Sequence, residues 1–251
     1  MKNYIKGELY KAVRNRYLFV ITFVLGIGII ASTKIITNIP LLSNSFIATR
    51  SGILSIGIML GIGINVLLLV FLPIFTEDFR NNTFKNIINL NLSKWQIFLA
   101  KYIVQIIAAL FVAIILFSCL GVALIMLPPG EGYTNEMLIE FLFKLIASIP
   151  CFAATIAIMD LLALIIKKEL VICLIYYYVY IQIYAIITFM NGNINNTLAR
   201  VILMPAQVGY MFNNNFSIKT CMFTALSGLL YIILVVTIYS RLKIERVKIY
   251  S

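Results

Sequence analysis

Six apolar runs constrain this chain more than any other feature: Tyr17–Ile36, Ile53–Phe75, Ile97–Ile125, Phe141–Ile166, Leu170–Met190 and Cys221–Ser240. A hydrocarbon core about 30 Å thick is crossed by about 20 residues of α-helix, which each run supplies. Lipid offers no partner for backbone N–H and C=O groups, so such runs fold as helices that satisfy their own hydrogen bonds. The proportions agree, since 62% of the 251 residues are hydrophobic and 12% charged, with a mean hydropathy of +1.02. A soluble domain does not have that balance. The expected fold is an all-α polytopic membrane protein with six transmembrane helices, forming one domain over residues 1–251.

The polar segments between the runs set the orientation. Between the second and third runs lies the island Phe75–Lys101, reading FTEDFRNNTFKNIINLNLSKWQIFLAK. Its bases Arg80, Lys85, Lys94 and Lys101 place it in the cytoplasm, because Lys and Arg flanking short loops are retained there. Phe84, Ile87 and Ile88 fall at helical spacing, which predicts a short interfacial helix after Glu77. A turn at Asn89–Leu92 follows, and Ser93 with Gln96 forms a capping box for the next helix. Six spans from this starting point leave both termini cytoplasmic. Of the 20 basic residues, only Lys34, Arg50, Lys144, Arg200 and Lys219 then fall outside.

Ahead of the first run, Met1–Arg16 carries Lys2, Lys6, Lys11, Arg14 and Arg16 against one acid, Glu8. Ile5, Leu9 and Val13 recur every four residues, so a helix here has an apolar stripe and a basic face. Such a helix lies in the headgroup plane, attracted by anionic lipid. A cleaved signal peptide is disfavoured, because the run is long and Lys34-Ile35-Ile36 offers no small-residue cleavage pattern. The net charge of +11 is spread over several short segments rather than gathered in a patch or arm. It reads as membrane topology, not nucleic-acid binding.

Other features carry alternatives. Gly57 and Gly61 are spaced as GxxxG, which suits close packing either within the chain or at a dimer face. Pro73 is expected to tilt or end the second span. Glu131, Glu136 and Glu140 make an acidic outer loop, or attract a cationic substrate. Asp160 lies inside the fourth run, where a carboxylate costs about 2.5–3.5 kcal/mol to insert. It either reaches the inner interface near Lys167, about 10 Å along the helix, or pairs locally, or serves a substrate path or coupling. Tyr176, Tyr177, Tyr178, Tyr180 and Tyr184 cover more than one face of the fifth run, so some of them meet protein. The outer segment Asn191–Lys219 is expected to form short helices at the outer leaflet, broken at Pro205. Cys119, Cys151, Cys173 and Cys221 lack CxxC spacing and the chain has no histidine, so they read as small buried hydrophobes. With no GxxxxGK[ST] and no His, neither a nucleotide-phosphate cradle nor a Ser-His-Asp or zinc-protease site can be assembled. No catalytic, cofactor-binding or metal-binding residue is expected, and the chain reads as a transport subunit rather than an enzyme.

Two groups of residues carry a family resemblance. One is Lys6, Glu8, Leu9 and Lys11 before the first span. The other is the island, where Glu77 follows the second span, Thr83 and Lys85 come six and eight residues later, and Ser93 and Lys101 frame the return. On these the chain resembles permease subunits of the ATP-binding-cassette (ABC) type-2 exporter superfamily, and most of all the compact permeases of lantibiotic-immunity and bacitracin-resistance transporters. Asn82 stands where the superfamily commonly has Gly.

The resemblance implies an elbow helix over 1–16, a cytoplasmic coupling segment over 76–92 that docks on an ATPase, and an extracellular gate over 191–219. It implies ATPase-coupling roles for Glu77, Asp78, Thr83, Phe84, Lys85, Ile87 and Ile88. For Glu77 the simpler role is a helix-start charge favoured by the dipole. The implied partners are two copies of an ABC ATPase, a second permease copy or a paralogous permease, membrane lipid and a peptide antibiotic, with no nucleic acid. No cofactor is bound directly, and ATP and Mg are used by the ATPase. The expected setting is a bacterial plasma membrane and the expected function is export of a peptide antibiotic for immunity or resistance. The alternatives are a permease for a drug, lipid-linked glycan or ion, and a non-transporting scaffold or sensor.

Overall fold

The computed structural model describes residues 1–14, 16–38, 48–55, 68–80, 94–130, 133–166, 168–178 and 204–241. Among them the regular elements are all helical: α1 (Lys2–Arg14), α2 (Arg16–Asn38), α3 (Arg50–Ser55), α4 (Leu72–Arg80), α5 (Lys94–Met126), α6 (Asn135–Ile166), α7 (Glu169–Ile175), α8 (Met204–Asn213) and α9 (Ile218–Arg241). A 3-10 turn at Leu68–Phe71 leads into α4. Helices α2, α5, α6 and α9 are long and apolar enough to cross a membrane. The second expected span runs through residues 56–67, with Gly57 and Gly61, and the fifth through 179–203. Both stretches lie outside the described residues.

The burial pattern is that of a membrane protein. Phe23 is 70% exposed and Ile114 65%, while Thr22, Thr33, Ser148, Thr155, Thr224 and Ser227 are buried. Large apolar side chains turned outward and small or hydroxylated ones turned inward suit a lipid surround. In lipid, helices gain from close packing and from polar contacts rather than from hiding hydrocarbon.

The tightest expression of this is the α6–α9 pair, the most extensive packing among the described elements. The two helices run parallel. A Cβ at Gly228 would lie 2.5 Å from the backbone of Pro150 and Cys151, so glycine alone allows this approach. Thr224 and Ser227 flank the crossing, and the Cys151 thiol donates to the Thr224 carbonyl at 3.2 Å. Pro150 sits inside α6, and its missing N–H leaves the ladder locally open where α9 presses against it.

One sequence expectation changes, and two prolines stand at helix starts. Pro73 occupies the first turn of α4, directly after the 3-10 turn, where a missing N–H costs little; residues 56–67 of the span it is expected to tilt or end lie outside the described residues. Pro205 lies in the first turn of α8, and the segment it is expected to separate from that helix is also outside the described residues. The outer acidic loop is shorter than expected, because α6 begins at Asn135 and takes in Glu136 and Glu140. Glu136 falls in its first turn, where the helix dipole favours an acid.

Two of the expected outer bases have a local use. The Arg50 guanidinium donates to the Leu124 and Leu127 carbonyls at 2.7 and 2.8 Å, closing the C-terminal end of α5. Lys144 donates to the Phe212 and Asn214 carbonyls at 3.3 and 2.8 Å at the end of α8. Cations satisfy orphan carbonyls at helix ends. These two bases are therefore held by backbone acceptors.

Candidate functional site

At the opposite end of the bundle, α1, α4 and α5 meet around a buried lysine. Helix α5 has 33 residues and rises about 50 Å at 1.5 Å per residue, more than a hydrocarbon core needs. Its first turns therefore reach the boundary where α1 packs. There Lys101, with its side chain 1% exposed, pairs with Asp78 of α4 and, at 3.2 Å, with Glu8 of α1. Lys11 closes the cluster, 2.7 Å from Glu8 and 3.6 Å from Asp78. Glu8, Asp78 and Lys101 are buried, and the half-exposed Lys11 supplies the second positive charge that balances the two acids.

The charges of this cluster reach their neighbours on α1. Burial works against the Lys11 ammonium, but its hydrogen bond to Glu8 and the charges of Glu8 and Asp78 outweigh it, so Lys11 is held above its ordinary range. The Tyr4 phenol is pushed up by burial and by the same two carboxylates.

One turn along α5 from Lys101, Gln105 is also fully buried. Its amide donates to the Phe71 carbonyl at 3.1 Å and to Asp160 of α6 at 2.9 Å. Lys101 in turn donates to the Ile74 carbonyl at 3.2 Å. Two side chains four apart thus clamp two carbonyls at the entry to α4, as the i, i+4 spacing of a helix face permits. Phe75, Phe98, Tyr102 and Trp95 pack around them, and Phe98 stacks on Tyr239 of α9 with centroids 4.2 Å apart. On the far side, Thr76 of α4 donates to Glu169 of α7 at 3.3 Å. The arrangement is a rigid junction of α1, α4, α5 and α6, with α7 and α9 against it.

Several expected site residues come together here and others do not. Glu8, Lys11 and Asp78 lie in the ion cluster, whereas Lys6 is exposed and Leu9 is half-buried. Of the predicted stripe, Ile5 and Leu9 are half-buried and pack against the core, while Val13 is 57% exposed. The most buried positions of α1 are Glu8 and Ala12, because Glu8 finds two bases there. Glu77 points away from the cluster, into a cleft it shares with Arg14, Arg16 and Glu169. Asp160 is completely buried and is held by Gln105 across the helix interface rather than reaching out along its own helix. Thr83, Phe84, Lys85, Ile87, Ile88 and Ser93 lie outside the described residues.

Gln105 was missed by sequence reasoning. Its signal was a lone amide in the apolar run after Lys101, at the spacing that puts the two on one face. The four cysteines are free thiols. No protein-family model matches this chain, and no curated protein matches it.

Proposed function

We propose that this chain is the membrane-spanning permease subunit of an ABC exporter in a bacterial plasma membrane, with six spans and both termini in the cytoplasm. The cargo on this reading is an amphipathic peptide antibiotic of the lantibiotic or bacitracin kind, expelled for immunity or resistance. Two permease copies, or this chain and a paralogue, line the path. A separate ATPase, present twice, consumes ATP and Mg.

The observation that carries the reading is the ion cluster of Glu8, Lys11, Asp78 and Lys101. Residues 81–93 join α4 to α5, and both ends of that insert are clamped to each other by Lys101 and Gln105. A push on the insert then moves α4 and α5 as one body, because separating them strands buried charge. Asp160 passes the displacement to α6, and Glu8 ties α1 to it. Interfaces of this kind transmit rigid-body motion rather than absorbing it. Glu77 is turned out of the cluster and lines the cleft at the elbow.

The test is co-purification with an ATPase from the same cells, followed by its hydrolysis rate with a candidate peptide. Export predicts stimulation by cargo. Glu77→Arg is expected to insert normally into the membrane and to abolish either ATPase binding or the stimulation. Docking without stimulated turnover identifies a scaffold instead, and full export by Glu77→Arg removes that residue from coupling.

A further inference from the structure

The cleft beside the ion cluster has its own chemistry. It encloses about 750 Å³ at the elbow between α1 and α2, against the entry to α4. Its charged lining is Lys11, already paired in the ion cluster, with Arg14 and Arg16, and the acids Glu77 and Glu169. Arg14, Arg16 and Glu77 form no ion pair with one another or with any other described residue. Opposite charges held apart across an open cleft invite a ligand that carries both signs.

The remaining lining is apolar. Leu18 and Ile21 of α2 face Leu69 and Val70 of the 3-10 turn. Ile21 lies five residues beyond Arg16, about 7.5 Å further along α2, so the apolar wall descends from the charged rim toward the hydrocarbon. A small soluble zwitterion has no use for such a wall, whereas an acyl chain does. Tyr17, 79% exposed on the first turn of α2, stands where an amphipathic ring meets headgroups.

We propose that this cleft is a binding site for one phospholipid whose headgroup bears a phosphate and a primary amine. Arg14 and Arg16 take the phosphate, for which planar guanidinium forks are suited. Glu77 and Glu169 accept hydrogen bonds from the ammonium, and one acyl chain lies along Ile21 and Val70. The two carboxylates favour a headgroup that carries an ammonium beside its phosphate. A trimethylated amine has no N–H to give them. The site goes beyond the transport reading and stands whether or not an ATPase docks.

The experiment uses the full chain alone, in nanodiscs containing equal parts of phosphatidylethanolamine, phosphatidylcholine and phosphatidylglycerol. Lipid retained on release into mild detergent is counted by native mass spectrometry. The wild type is expected to keep one phosphatidylethanolamine in preference to the other two. The Arg14→Gln/Arg16→Gln variant is expected to lose it by about tenfold, the scale of charge-assisted hydrogen bonds. Glu77→Gln is expected to bind phosphatidylglycerol at least as well as phosphatidylethanolamine. Both variants alter partly or fully exposed side chains, so folding is checked by an unchanged gel-filtration profile. Equal retention of all three lipids by the wild type, preference for phosphatidylglycerol, or an arginine variant that keeps phosphatidylethanolamine overturns the proposal.

Discussion

At the scale of single residues, the decisive group is Lys101. An ammonium with 1% of its side chain exposed is tolerable only because Glu8, Asp78 and the Ile74 carbonyl surround it. Removing one member leaves the others buried and uncompensated, which typically costs about 3–5 kcal/mol, while replacing a whole buried set with neutral groups costs far less. Lys101→Met is therefore expected to lower the thermal unfolding midpoint in detergent more than the triple variant Glu8→Gln/Asp78→Asn/Lys101→Met does. Dye-monitored or gel-filtration melts give the comparison. A triple variant less stable than the single one contradicts the assignment of the cluster as mutually compensating. Sequence alone weighted Glu77 over Asp78 and read Glu77 as a helix-start charge, but α4 begins at Leu72 and both acids lie in its second half, away from the favourable end of the dipole. Which one turns inward depends on the rotation of α4 against α5.

At the scale of elements, the α6–α9 crossing is the contact least able to adjust. A methyl at Gly228 meets backbone atoms of Pro150 and Cys151 rather than a side chain that could swing away. Gly228→Ala is expected to destabilise the protein by about 1–3 kcal/mol, the usual range for overpacking. Gly121 on α5 has open space where its Cβ would be. Gly121→Ala is expected to be neutral or to stabilise by up to about 1 kcal/mol, since alanine holds a helix better than glycine. Thermal melts of the two variants side by side check this, and equal losses count against the close approach. Nothing in the sequence set Gly228 apart from the chain's other glycines, because closeness is a property of two helices.

At the scale of the whole molecule, the proposed topology makes a prediction about access. In a background with the native cysteines replaced, the Asn89→Cys variant is expected to resist a membrane-impermeant maleimide in intact cells. Thr134→Cys is expected to react. Permeabilised cells should label both. Reaction at position 89 in intact cells places the insert outside and removes the coupling role with it.

The chain's own order of residues determined that it is helical and lies in a membrane. Runs of apolar residues of bilayer length admit no other fold in lipid, and α2, α5, α6 and α9 follow four of those runs to within a few residues, except for the early start of α6. It also flagged Asp160, a charge conspicuous inside an apolar run, while the family resemblance brought Glu8, Lys11 and Asp78 into view. Only the tertiary structure decided which charges meet. Lys101, Asp78 and Glu8 are far apart along the chain, and Gln105 reaches Asp160 across 55 residues. Hydropathy and spacing describe one helix at a time, whereas the pairing of buried charges is fixed by how helices rotate and pack against one another.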